Sequence, residues 1–61
     1  SVATGYIGQS MTDLVNACGS PNGSDYEDEP ESGKTGYYYY DTFTVSTTFD
    51  NDGNEVVSGV W

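Results

Sequence analysis

The sequence predicts an α+β fold, with one short helix packed on a three-stranded antiparallel β-meander. Three observations predict it. Met11, Leu14, Val15 and Cys18 recur at i, i+3, i+4 and i+7, which is one face of a helix. Phe43, Val45 and Phe49 alternate with Thr44, Ser46 and Thr48, the pattern of a strand buried on one side only. Asp50-Asn51-Asp52-Gly53 then separates this strand from a second apolar run, with the composition of a hairpin turn.

The elements follow in chain order. Val2, Tyr6 and Ile7 suggest an extended lead-in. The helix spans about 11–18. Ser10 can cap it by accepting an orphan backbone N–H, and Asp13 places a negative charge in the first turn, where the helix dipole favours it. Gly19 suits the left-handed position after the last turn, and Pro21 blocks continuation. Two turns of helix do not persist alone in water, so the apolar stripe must dock on a sheet.

Residues 22–36 read as a loop, rich in Gly, Ser and acidic side chains, with Tyr26 its only sizeable apolar group. Strands are expected at about 37–41, 43–49 and 55–61, and the whole of 1–61 as a single small domain. If Tyr40 meets Phe43 across Asp41-Thr42, then Tyr38 and Tyr40 face the core while Tyr37 and Tyr39 face out. A bulged turn with Gly53 left-handed sets Phe49 opposite Glu55, Thr47 opposite Val57, Val45 opposite Gly59 and Phe43 opposite Trp61. Val57 and Trp61 would then join the core face, and Val56 and Val60 the other.

Composition narrows function. The chain has 61 residues, 10 Asp and Glu, a single Lys or Arg, no His, and a formal charge of −9. Nucleic-acid binding needs cationic side chains to release counterions, and only Lys34 is available, so no nucleic-acid partner is expected. The same charge disfavours anionic membranes, and no apolar run is long enough for membrane insertion. Without His the chain lacks the commonest general base and the commonest zinc ligand, and no enzyme is expected. Cys18 stands alone, so no internal disulfide can form. No secretory leader is visible in 1–8, and the chain reads as a mature or excised piece. Acidic, Tyr- and Thr-rich composition suits an exported bacterial protein, extracellular or in the cell envelope.

The spacing Gly8-x-Ser10-x-x-x-Leu14-x-x-x-Cys18-Gly19-x-Pro21 resembles the helix motif of the SmpA/OmlA superfamily of outer-membrane assembly lipoproteins and β-lactamase inhibitory protein-like repeats. After a variable loop that family has an aromatic strand and a strand ending Phe-Asp/Asn-x-x-Gly. Tyr37 to Tyr40 and Phe49-Asp50-Asn51-Asp52-Gly53 are similar to these. The resemblance covers about 5–61 as a single repeat. It departs at Gln9, where the family has Met, at Cys18, where it has Leu, and in lacking a lipidated N-terminal Cys. The resemblance implies an exported, non-catalytic, protein-binding module.

Two candidate sites emerge. Tyr37 and Tyr39, with Tyr26 near, form an aromatic ridge suited to a protein partner or a glycan, or else cover the core. Asp25, Glu27, Asp28, Glu29 and Glu31 could supply carboxylate oxygens to calcium, or be a solvated acidic loop. An EF-hand reading of Asp50-x-Asp52-Gly53 fails, because Thr48 and Gly59 would occupy the positions that need carboxylates. Asn22-Gly23-Ser24 is a glycosylation sequon that reads as a turn, and Lys34 as a solvated lysine rather than an isopeptide donor. The function expected is a protein-interaction module. The alternatives are a cation-dependent or glycan-binding surface module, and a structural subdomain of a longer chain. An edge strand could also pair two copies into a homodimer.

Overall fold

A computed structural model describes residues 2–31 and 33–61; Ser1, and Ser32 within the expected 22–36 loop, lie outside the described residues. In chain order the elements are a 3-10 helix (Val2–Tyr6), α1 (Met11–Cys18), β1 (Gly23–Glu29), β2 (Gly33–Tyr39), β3 (Thr44–Phe49) and β4 (Glu55–Val60). The fold is α+β: one α-helix and a four-stranded antiparallel sheet in the order β1-β2-β3-β4. The expected strand count of three is corrected to four.

The additional strand is β1, which occupies most of the segment expected to be a loop. Its residues have low strand propensity, and every one is exposed. What makes it a strand is the hairpin that joins it to β2. Pro30 and Glu31 lie in the turn, and Gly33, the first residue of β2, takes the left-handed φ of +78°. From there the ladder runs unbroken from Glu29↔Gly33 through Tyr26↔Gly36 to Gly23↔Tyr39. β2 accordingly begins at Gly33 rather than near 37.

α1 has the expected bounds and caps. The Ser10 hydroxyl accepts from the Thr12 N–H at 3.1 Å, and the Gly19 N–H, at φ +86°, donates to the Val15 carbonyl at 2.8 Å. Met11 and Leu14 are buried, while Val15 and Cys18 lie half-buried on the same stripe. The lead-in is a 3-10 helix, correcting the extended expectation: its tight turn seats Ala3 in the core at 1% exposure. Beyond it the Gly8 N–H donates to the Val57 carbonyl and the Val57 N–H donates to the Gln9 carbonyl, both at 2.8 Å, and Ser10 bridges Val56. Segment 8–10 thus occupies the outer edge of β4.

The Tyr40–Phe43 turn is as expected. The Tyr40 N–H donates to the Phe43 carbonyl at 2.9 Å, and the two rings stack with centroids 4.5 Å apart. Tyr38 therefore faces the core with Val45 opposite it, and Tyr37 and Tyr39 fall on the other side.

The β3–β4 hairpin follows the expected register from Phe49↔Glu55 to Thr47↔Val57, then shifts by one residue. Ser58 is the extra residue of a bulge, so Ser46 meets Gly59 and Val45 meets Val60. The consequence is a correction of two faces. Val60 turns to pack against the core. Trp61, paired with Thr44 by two backbone bonds of 2.8 and 3.0 Å, leaves the core face and lies 66% exposed.

The core consists of Ala3, Met11, Leu14, Tyr38, Val45 and Val57, with the buried Thr47 beside them. α1 packs on the 3-10 helix and β4, so it covers one end of the inner sheet face and leaves the end beneath Tyr26 and Phe49 uncovered by helix.

Candidate interaction surfaces

The outer sheet face carries three aromatic side chains in neighbouring rows. Tyr39 pairs with Thr44, and Thr44 with Trp61, so one row runs Gly23, Tyr39, Thr44, Trp61 across the sheet. The next row holds Asp25, Tyr37, Ser46 and Gly59. A Cβ on Gly59 would lie 2.9 Å from the Ser46 hydroxyl and 3.8 Å from the indole, which places Trp61 over the Gly59 backbone. The Tyr39 hydroxyl donates to Asp25 Oδ2 at 3.1 Å. That bond raises the Tyr39 pKa above its ordinary value, with smaller contributions from burial and from the charges of Asp25 and Glu27. The surface is flat, aromatic at one end and hydroxyl-lined along β3, with carboxylates along β1.

Tyr26 does not belong to this ridge. It stands opposite Gly36, and its ring meets the Tyr38 ring edge-on at 6.0 Å on the inner face. There it caps a polar cluster. Glu55 Oε2 accepts from the Tyr38 hydroxyl at 2.5 Å and from the Thr47 hydroxyl at 2.6 Å, and the Tyr26 and Tyr38 hydroxyls bond to each other. Burial, followed by the hydrogen bonds to Glu55 and Tyr26, pushes the Tyr38 pKa far above the ordinary tyrosine value. The Tyr38 hydroxyl is thus held as a donor to Glu55. The Lys34 ammonium sits over two rings, 4.7 Å from the Tyr26 centroid and 5.1 Å from that of Phe49, a cation–π clamp on the sheet end that α1 leaves open.

Gly36 makes the cluster possible. A Cβ there would collide with the Thr47 hydroxyl and approach Glu55 Oε2 to 2.8 Å and Tyr26 Cε1 to 3.1 Å. A groove of about 240 Å³ runs between α1 and the sheet, lined by Met11, Thr12, Val15, Asn16, Tyr38 and Glu55. A broader, shallow depression of about 420 Å³ lies between the 3-10 helix and α1.

The five carboxylates considered for calcium lie on a strand and its turn, not in a loop that could wrap an ion. Strand alternation sends Asp25, Glu27 and Glu29 to the outer face and Asp28 to the inner face opposite Lys34, with Glu31 in the turn. Among the described residues no three acidic or Cys side chains converge as a metal site.

Sequence reasoning missed two groups. Trp61 was hidden by the bulge at Ser58. The Glu55 cluster was within reach, because the predicted register already set Glu55 opposite Phe49 on the core face. A carboxylate there requires donors, and the hydroxyls of Tyr38 and Thr47 were the nearest ones. The chain matches no known protein family, no curated protein and no solved structure.

Proposed function

We propose that the protein is a non-catalytic interaction module, exported to the surface or envelope of a bacterium, that binds a protein partner across its outer sheet face. The observation that carries this reading is the row of Tyr39, Thr44 and Trp61, with two large aromatic side chains exposed at 40% and 66% on a face that no other element among the described residues covers. Aromatic rings supply contact area at low cost in side-chain entropy, and their polar tips tolerate water before the partner arrives. Tyr37 lies on the same face one row away. The carboxylates of β1 and the charge of −9 favour a partner with a basic surface. The likeness of the 8–21 motif to SmpA/OmlA repeats supports the same reading, as does the absence of His among the candidate groups.

The test is a double variant, Tyr37→Ser with Tyr39→Ser, compared with wild type. Both are immobilised and exposed to an envelope extract of the source cells, and retained proteins are identified. The variant should keep its dispersed amide spectrum and lose the retained partner. Retention by the variant at wild-type level would mean that the tyrosines only cover the sheet.

A further inference from the structure

We propose that the outer edge of β1 accepts an extended segment of a partner protein as a fifth strand, and that this segment carries Lys or Arg at alternate positions. The inference rests on the protein-binding reading and specifies the partner's chemistry. The two edges of the sheet are treated differently. On the outer side of β4 the N–H and C=O of Val57 are taken by Gln9 and Gly8, and Ser10 bridges Val56. Among the described residues nothing pairs with the outer side of β1.

An open edge presents a row of N–H and C=O groups that pair readily with another chain. Strands that must stay unpaired are shortened, bulged, broken by proline or lined with charge, and β1 has only the last of these. β1 has seven residues, Gly23–Glu29, with no proline and an unbroken register with β2. All seven are exposed, so an incoming strand meets no obstruction from the rest of the fold.

The side chains then select the occupant. Asp25, Glu27 and Glu29 share one face at a spacing of two residues, and Asp28 lies on the other. A strand laid alongside has its own side chains alternating with the same period. Cationic residues at every second position therefore stand opposite the three outer carboxylates together. A block of cations cannot do this, because half of them would point to the other face.

A second copy of the chain fits badly. Antiparallel pairing of two β1 strands about Tyr26 would set Asp25 opposite Glu27 twice, and in-register parallel pairing would set every carboxylate against itself. Like charges directly opposite are destabilising. These two registers of self-association are thereby disfavoured, and a basic strand is favoured over them.

The experiment uses the ¹⁵N-labelled chain at low salt with three seven-residue peptides of equal charge. One alternates Lys with Thr and Val; a second is the same peptide N-methylated at alternate backbone amides; a third carries its Lys residues in a block. The alternating peptide should bind about tenfold or more tightly than either other, a factor in keeping with three cross-strand charge pairs plus the ladder. It should also slow hydrogen exchange at amides within 23–29. Neutralising Asp25→Asn, Glu27→Gln and Glu29→Gln together should remove that preference.

Equal binding of all three peptides would overturn the proposal, since attraction would then be diffuse, and so would no binding at all. Protection of β1 by dimerisation of the peptide-free chain would overturn it in favour of a second copy. Shifts confined to Tyr37, Tyr39 and Trp61 would overturn the edge while leaving the outer-face reading intact. Conversely, peptide binding at β1 with partner capture unaffected by the Tyr37/Tyr39 substitutions would sustain the edge and remove that reading.

Discussion

Replacing Gly36 by Ala should destabilise the protein even though alanine is the better residue for most strands. Where a side chain fits, Gly→Ala gains roughly 0.4–1 kcal/mol by restricting the unfolded chain. At Gly36 it does not fit. The new methyl would overlap the Thr47 hydroxyl and sit 2.8 Å from Glu55 Oε2 and 3.1 Å from the Tyr26 ring. These neighbours cannot yield independently, because Thr47 and Tyr38 both donate to the same Glu55 oxygen and Tyr26 is tied to Tyr38. Overpacking of this kind costs about 1–3 kcal/mol, and displacing a hydrogen bond to a charged group adds about 1.5–3 kcal/mol. The net expectation is a loss of about 1.5–5.5 kcal/mol. At roughly 0.05–0.15 kcal/mol per residue, a chain of 61 residues has about 3–9 kcal/mol in total, so the variant should be close to unfolding. Urea titration followed by circular dichroism reads the change directly. Thr47→Ala removes the first obstacle, so the double variant should lose at least about 1 kcal/mol less than the sum of the singles. Gly59→Ala is the control, because the nearest atom, the Ser46 hydroxyl at 2.9 Å, is a rotatable group on the outer face. Unchanged or increased stability in Gly36→Ala, or strict additivity with Thr47→Ala, would refute the idea that this glycine is fixed by the cluster above it.

Other outcomes follow from the same contacts. The Tyr38 pKa is raised in the folded state, so the folded chain keeps a proton that the unfolded chain loses. Stability should therefore hold below the ordinary tyrosine pKa of about 10 and fall as pH rises above it, at up to about 1.4 kcal/mol per pH unit from this group. Tyr38→Phe should flatten that alkaline slope in pH-dependent urea titrations, and an unchanged slope would assign it to other groups. Leu14→Ala, at a fully buried site on α1, should cost about 2–5 kcal/mol and leave much of the population unfolded at room temperature, as seen in amide dispersion. Ser10→Ala removes the cap on the Thr12 N–H and should cost about 1 kcal/mol, or about 4–8 °C of melting temperature; no change would mean that the bond to water is as good.

How much of this fold was legible depends on where the determining information lies. α1 was legible because its signals are local: a cap, a period of 3.6 and a terminating glycine all fall within 10–21. The Phe49–Glu55 hairpin was legible for the same reason. In the structure the Asp50 carboxylate accepts from the N–H groups of Asp52 and Asn54, both at 2.9 Å, and Gly53 takes φ +82°. β1 was not legible from its own residues, since Gly-Ser-Asp-Tyr-Glu-Asp-Glu has neither alternation of apolar groups nor strand propensity. Its sign was in the turn. Pro30 and Gly33 stand at the same offsets as Asn51 and Gly53 would if the second loop were one residue longer at its turn, and both loops end on a left-handed glycine. Of the candidate site, the outward direction of Tyr37 and Tyr39 was readable from the Tyr40–Phe43 turn. The place of Trp61 was not, because one extra residue at Ser58 reverses every side chain beyond it.

The bulge and the cluster together account for which side chains, among the described residues, lie on each face of the sheet. Eight residues of helix cannot span four strands, so α1 closes only the end where Leu14 meets the core. Among the described residues no second helix covers the other end, and its inner face is filled from within the sheet. Tyr26 bonds to Tyr38 beside the Glu55 carboxylate and the hydroxyls that satisfy it, and the Lys34 ammonium lies over the Tyr26 and Phe49 rings. A side-chain network does here what apolar burial does beneath α1, which is why Gly36, with no side chain, matters as much as any core residue. The bulge then delivers Trp61 to the outer face instead of the core, beside Tyr39 and one row from Tyr37. The exposed Tyr39 and Trp61 rings thus lie together on the outer face, opposite the core.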